Sequence, residues 1–329
     1  MKADDLDSGP DLYRSDRETV LIALGGNALI RKGQKGTISE QEANADAVAR
    51  DLMCLVEADY NLVVTHGNGP QVGNLLLAND LTREQVPPMP LDVLGAETQG
   101  NMGYFLQQAL LNRLRAAGIR RYVVTMITQV IVDKDDPAFA FPDKPIGLHV
   151  DEATARDLSA RLGWTMKQVS EGGWRRLVPS PRPLKIIQRY MVRHAASEGN
   201  IVIAAGGGGI PIRIKEDGTY EGIEAVIDKD LTSAELAVQV RADLLVILTA
   251  APRMAVDFGK PTQRDLDVVT LDEAERLIAA GHFPPGSVGP KMQACVQFVA
   301  ATGKDAIIAE ASQLPEALAG KAGTRSVLR

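Results

Sequence analysis

Three glycine-rich stretches follow short apolar runs: Leu24-Gly25-Gly26-Asn27, Thr65-His66-Gly67-Asn68-Gly69 and Ala205-Gly206-Gly207-Gly208-Gly209. Glycine at such a turn lets backbone N–H groups approach an anion with no Cβ in the way. A helix that starts just beyond adds the positive end of its dipole. Three lysines supply mobile positive charge. Lys229 stands between Asp228 and Asp230, Lys291 follows Gly-Ser-Val-Gly-Pro, and Lys144 stands in Asp-Lys-Pro-Ile-Gly. An aspartate at a helix start can cap the helix and hold a neighbouring lysine in place. Lysine acts on phosphate oxygens as a point charge. Glycine turns and lysines together suit phosphoryl transfer, which needs positioning and charge neutralisation more than covalent help.

Other glycine chemistry is excluded. The P-loop pattern is absent, and Gly67 to Gly73 has one residue too many for a dinucleotide fingerprint. No nucleophile elbow is present.

The elements that must carry these residues alternate. Strand-like apolar runs are expected at Thr19–Leu24, Leu62–Thr65, Tyr122–Val132, Ile201–Ala205, Leu244–Leu248 and Ala306–Ala309. Most are apolar throughout, as in strands covered on both faces. Helical patterns fall at Glu40–Ala58, Gln71–Asn79, Glu97–Ala117, Leu184–Ser197, Leu231–Val240, Asp272–Ala280 and Val288–Thr302. The expected fold is therefore α/β, a mainly parallel open sheet sandwiched by helices. Ligands of such sheets bind beyond the carboxyl ends of the strands, where the three glycine turns fall. Residues 1–18 are polar and aperiodic and read as a loose tail. Residues 19–329 read as one domain. Asp133–Pro183, rich in proline and charge and carrying Trp164 and Trp174, reads as a protruding insert with its own helix at Asp151–Leu162.

Composition narrows the function classes. The chain has 329 residues and a net charge of -6, and aromatics make up 4%. A general nucleic-acid binder would show a basic surplus and base-stacking aromatics. No apolar run approaches the roughly 20 residues that span a membrane, and no signal-peptide core is evident. The four histidines lack metal-ligand spacing, and Cys54 and Cys295 read as reduced core thiols. The expected compartment is the cytoplasm.

The strings Ala23–Ala28, Val64–Asn74, Gly206–Pro211, Glu224–Asp230 and Gly281–Ser287 resemble the carbamate kinases, as do Lys144-Pro145-Ile146-Gly147 and Val178-Pro179-Ser180-Pro181 in the insert. The likeness runs from about Val20 to Ala311. The insert discriminates most, because the wider amino-acid-kinase superfamily generally lacks it. The resemblance implies the amino-acid-kinase fold, a homodimer, Mg²⁺ held mainly by phosphates with no direct protein ligand, and the reaction ATP + carbamate ⇌ ADP + carbamoyl phosphate. It often runs towards ATP at the end of arginine or purine breakdown.

Carried over residue by residue, Gly25, Gly26 and Asn27 would hold the transferred phosphoryl group, and Gly67 and Asn68 would place the carbamate. Lys229 would bridge the phosphates, Asp230 would orient the lysines, and Lys144 would close down from the insert. Gly207, Gly208, Thr249, Phe258, Ser287 and Lys291 would serve the nucleotide. One stretch departs from the family pattern. Ala250-Ala251-Pro252-Arg253-Met254-Ala255 lacks the usual valine and acidic residue beside the nucleotide, so nucleotide preference is where this chain is expected to differ. The residues leave open a related kinase with another small acceptor, or a carbamoyl-phosphate- or nucleotide-binding protein with weak catalysis.

Overall fold

A computed structural model describes residues 16–26, 28–31, 33–170, 173–284 and 288–329. The chain begins with β1 (Thr19–Ala23), α1 (Ile38–Glu57), β2 (Asn61–Thr65), α2 (Gly69–Thr82), α3 (Leu91–Ala116), β3 (Val123–Thr125) and β4 (Gln129–Val132). Next come β5 (Lys144–Val150), α4 (Glu152–Leu162), β6 (Met166–Ser170), β7 (Gly173–Val178), β8 (Pro183–Ile186), α5 (Arg189–Ser197), β9 (Ile201–Ile203), β10 (Ile210–Ile214) and β11 (Tyr220–Gly222). The remainder is α6 (Lys229–Gln239), β12 (Leu244–Thr249), β13 (Met254–Val256), β14 (Arg264–Leu266), β15 (Val268–Thr270), α7 (Leu271–Ala279), α8 (Gly289–Thr302), β16 (Ala306–Glu310), α9 (Leu314–Leu318) and β17 (Thr324–Val327).

The main sheet has the order β15-β17-β16-β12-β1-β2-β9-β3. Every pairing in it except β16–β17 is parallel. The apolar runs divide their side chains between two cores. Leu21, Val63, Val202, Leu245 and Ile308 face one layer, with Leu236, Met292 and Phe298. Val20, Ile22, Leu62, Val64, Val246 and Ile307 face the other, with Leu52, Met102 and Leu106. Helices on both faces explain why these strands carry no polar alternation.

The structure corrects several expected elements. Tyr122–Val132 is not one strand. Val123–Thr125 closes an edge of the main sheet, whereas Gln129–Val132 joins a four-stranded sheet, β11-β10-β4-β8. The break falls at Thr128, whose N–H donates to the Gln99 side chain (2.8 Å). The expected helix Leu184–Ser197 begins only at Arg189. Its first part pairs antiparallel with β4 as β8, which opens at Pro183. α3 starts at Leu91, six residues before the expected Glu97, with Pro90 in the extended conformation at its N-cap. Within residues 133–183, β5, β7 and β6 form a separate antiparallel sheet beside α4. Residues 1–15 of the expected tail lie outside the described residues. Both cysteines are free thiols, and burial, ahead of the nearby Asp230 charge, pushes Cys295 up to about 12.

Candidate active site

β12, β1, β2 and β9 lie side by side and parallel, so their C-terminal ends open along one edge. Two of the glycine turns meet there. A Cβ on Gly67 would lie 2.7 Å from Gly26 Cα and 3.2 Å from Lys229 Cδ. Only glycine at 67 lets the turns after β1 and β2 close against the lysine. Gly25 lies towards β12, where a Cβ would come 3.4 Å from the Leu248 carbonyl oxygen. α2 begins directly after the second turn, and its N-cap, Asn68, makes no side-chain cap bond. Pro70, at the second position of α2, has no N–H, so the N–H groups of Gly69 and Gln71 are the ones left to meet an anion.

The cationic cluster is built on the first turns of α6 and α8. Lys229 Nζ hydrogen-bonds Asp230 Oδ1, and Lys291 Nζ lies 3.0 Å from Asp230 Oδ2. The Asp230 side chain is 4% exposed. Burial works to raise its carboxyl, but the charges of Lys229 and Lys291 outweigh that and hold it below the usual carboxylate range. One carboxylate against two ammonium groups leaves a surplus positive charge. Ser233 anchors this turn: its hydroxyl donates to the Lys229 carbonyl (2.6 Å) and lies 2.7 Å from Thr65 Oγ1 at the end of β2. Asp228 caps α6, accepting from Asp230 N–H at 2.9 Å. Its other oxygen accepts from Lys144 Nζ of β5 at 2.6 Å. The same segment grips residues 133–183 twice more, through Glu224–Arg176 (2.9 Å) and Val226 N–H to Pro179 O (3.0 Å).

The third turn packs behind the second. A Cβ on Gly206 would lie 2.4 Å from His66 Nε2, one on Gly207 would lie 2.3 Å from Asn68 Nδ2, and one on Gly208 would strike the Ile227 carbonyl. Gly207, Gly208 and Gly209 have positive φ, and so does Ala205 at 51°. His66 is buried beneath, and burial, opposed by its bond to Gly67 O and aided by the Lys229 charge, pushes it down to about 4. Gly207 and Gly208 therefore face Asn68 and Ile227, on the β2–β9 side of the site.

Thr249 ends β12, half-buried. Phe258, between β13 and β14, is 76% exposed. Asn27 and Ser287 lie outside the described residues. In the departing loop, Arg253 is drawn to Asp267 (2.9 Å) and the Gly323 carbonyl (3.3 Å). Among the described residues, no cluster of three His, Cys, Asp or Glu could hold a metal ion, and no helix is long and apolar enough to cross a membrane.

Sequence reasoning gives Asp228 only as a capping neighbour of Lys229; its bond to Lys144 joins residues 84 positions apart and has no local signal. It also passes over Thr98 and Gln99 of α3. The Asn68 amide donates to Thr98 Oγ1 at 2.8 Å. Gln99 bonds both Thr128 and the Gly206 carbonyl.

Comparison with known proteins agrees with this architecture. The amino acid kinase family model matches residues 18–310. A carbamate kinase of Thermococcus kodakarensis is 47% identical over 94% of this chain and 98% of its own length. A carbamate kinase of Trichomonas vaginalis is 42% identical over 94% and 99%. The solved carbamate kinase of Giardia lamblia bound to AMP-PNP superposes with a TM-score of 0.89 at 40% identity, covering 96% of this chain and all of that one. N-acetylglutamate synthase from Neisseria gonorrhoeae, at 16% identity and a TM-score of 0.53, shares the fold alone. The chain belongs to the amino acid kinase family and, within it, to the carbamate kinases.

Proposed function

We propose that this chain transfers a phosphoryl group reversibly between ATP and carbamate, forming ADP and carbamoyl phosphate. One observation carries the reading: two lysines share one buried aspartate where Gly26 and Gly67 meet. Carbamate is already an anion, so its oxygen can attack the γ-phosphorus without a general base, and the bond to the ADP oxygen breaks as the new P–O bond forms. The obstacle is bringing two anions together. The surplus charge of Lys229 and Lys291 opposes that repulsion, and the backbone N–H groups of the Gly25–Gly26 and Gly67 turns fix the geometry. Asn68 would place the carbamate. Lys291 would meet the nucleotide phosphates, with Gly207, Gly208, Thr249, Phe258 and Ser287 on the nucleotide side and Asn27 beside the transferred group. Lys144 would add charge from the insert.

Magnesium enters this reading as part of the nucleotide substrate. Among the described residues, the donors do not fit a resident ion. Both Asp230 oxygens are taken by lysines, and Asp228 is divided between Lys144 and the α6 cap. A homodimer and a cytoplasmic location belong to the same reading, as does a place in arginine breakdown. Light scattering at twice the chain mass would support the dimer.

The deciding experiment is ATP formation from ADP, carbamoyl phosphate and Mg²⁺, repeated with other nucleoside diphosphates because of the altered Ala250–Ala255 loop. Product with ADP supports the reading. No product with any nucleotide defeats it.

A further inference from the structure

We propose that Thr98, backed by Gln99, is a positioning residue for the transfer, holding the Asn68 amide where it meets the carbamoyl group. This deepens the carbamate kinase reading and rests on it. Thr98 and Gln99 are consecutive in α3 and each is 1% exposed. The other buried residues of that helix are Leu, Met, Phe, Ala and Gly. Buried polar groups are retained where they have specific partners, and here the partners include Asn68 and Gly206 of two glycine turns.

Asn68 stands at the N-cap of α2, and asparagine is a favoured capping residue. Its side chain nevertheless makes no cap bond. The amide is committed sideways: Nδ2 donates to Thr98 Oγ1 at 2.8 Å, and that hydroxyl donates on to Gly95 O at 2.7 Å. On the amide's other side lies Gly207, so close that a Cβ there would overlap it. Asn68 is thus clamped between α3 and the third glycine turn, while its side chain leaves the N–H groups of Gly69 and Gln71 uncapped.

Gln99 fixes the other jaw of the clamp. Its Nε2 donates to Gly206 O at 3.1 Å and Thr128 O at 3.2 Å, and its Oε1 accepts from Thr128 N–H at 2.8 Å. Thr128 Oγ1 in turn accepts from Ala205 N–H at 3.0 Å. These bonds hold the left-handed run that brings Gly207 against Asn68. Two adjacent residues of one helix therefore set the register of the turns after β2 and β9.

The test is Thr98→Val, nearly the same shape but unable to accept from Asn68, with Thr98→Ser as the rescue. KM for carbamoyl phosphate and for ADP are measured in the ATP-forming direction, with a thermal melt on each variant. Thr98→Val is expected to raise KM for carbamoyl phosphate about tenfold and to leave KM for ADP within about twofold, because one buried amide donor loses its acceptor. Thr98→Ser is expected to restore the wild-type value. Unmoved constants, or both rising together with a fall in Tm, would overturn the positioning role. Should Thr98→Val not fold, Thr98→Ala carries the same expectation. An inactive wild type would remove the carbamate kinase reading and this role with it, whereas an active wild type with an unmoved Thr98→Val removes this role alone.

Discussion

Two lysine–aspartate arrangements, centred on aspartates two positions apart along the chain, differ in burial and charge. Asp230 holds Lys229 and Lys291 at 4% exposure and leaves a net positive charge. Asp228 holds Lys144 one to one, neutral, with the lysine side chain 29% exposed. The first arrangement stands on α6 and α8, and its carboxylate is buried between two lysines. The second spans from α6 to β5, in a segment that also meets the body through Glu224–Arg176 and Val226–Pro179. A buried, over-charged site stabilises developing negative charge without reorganising. A partly exposed, neutral pair is weaker and more exchangeable. Under the proposed function, the inner cluster would govern rate and the outer pair substrate capture.

The largest expected effect lies in the inner cluster. Asp230→Ala would remove the buried carboxylate that Lys229 and Lys291 share, and breaking a buried pair in this way costs about 3–5 kcal/mol. Urea unfolding of that variant at pH 7 should show the loss; an unchanged midpoint would mean that Asp230 carries no such burden. Next is Lys229→Ala, which should lose roughly 10²–10³ in turnover while its melt stays cooperative. Near-normal turnover would remove Lys229 from the transfer and dissolve the contrast between the two arrangements.

Much of the inner cluster was legible in the chain itself. Asp228-Lys229-Asp230 opens a helix after an apolar run, and glycines end the runs before Gly25, Gly67 and Gly206. Parallel strands buried on both faces read as unbroken apolar segments, so β1, β2 and β12 were placed to within a residue or so. The same signal misleads at Tyr122–Val132, where the chain changes sheets inside one apolar run. The break is imposed by Gln99, 29 positions away, and no local pattern records a bond of that span. β8 was missed for a related reason, since it borrows its pairing from β4. Lys144 stands out in the chain only as one candidate cation among three, and its role over the substrate rests on the family resemblance, because an isolated lysine in a proline-rich segment has no chemical signature. Its partner Asp228, and the clamp at Thr98, exist only once the chain is folded.

A smaller effect separates the regions by pH. His66 lies under the inner glycine turns, held neutral by burial down to about 4, whereas an unfolded histidine titrates near 6.5. Between those values the unfolded chain binds the extra proton and the folded chain does not, so stability falls as pH falls. The contribution is fully present above pH 6.5, and about 3 kcal/mol is lost by pH 4. Urea unfolding across that window, compared with His66→Gln, should show a shallower slope in the variant. Equal slopes would mean that His66 takes up its proton in the folded state, beside Lys229.

The smallest effect is the one that best tests the outer pair. Asparagine caps a helix about as well as aspartate, so Asp228→Asn should keep α6 intact and remove only the charge that holds Lys144. The pair is partly exposed, so its strength is on the order of 1 kcal/mol or less. If Lys144 leaves Asp228 to meet the substrate, that amount is what the substrate must overcome. Removing it should lower KM for carbamoyl phosphate by up to about fivefold, with kcat little changed. In a Lys144→Ala background the same substitution should then do nothing, because the two effects act through one interaction. A KM shift that survives without Lys144 would place Asp228 itself on the substrate and make the outer pair a second inner one. A rise in KM would mean that Asp228 orients Lys144 towards the ligand, the role proposed for Asp230 with Lys229 and Lys291.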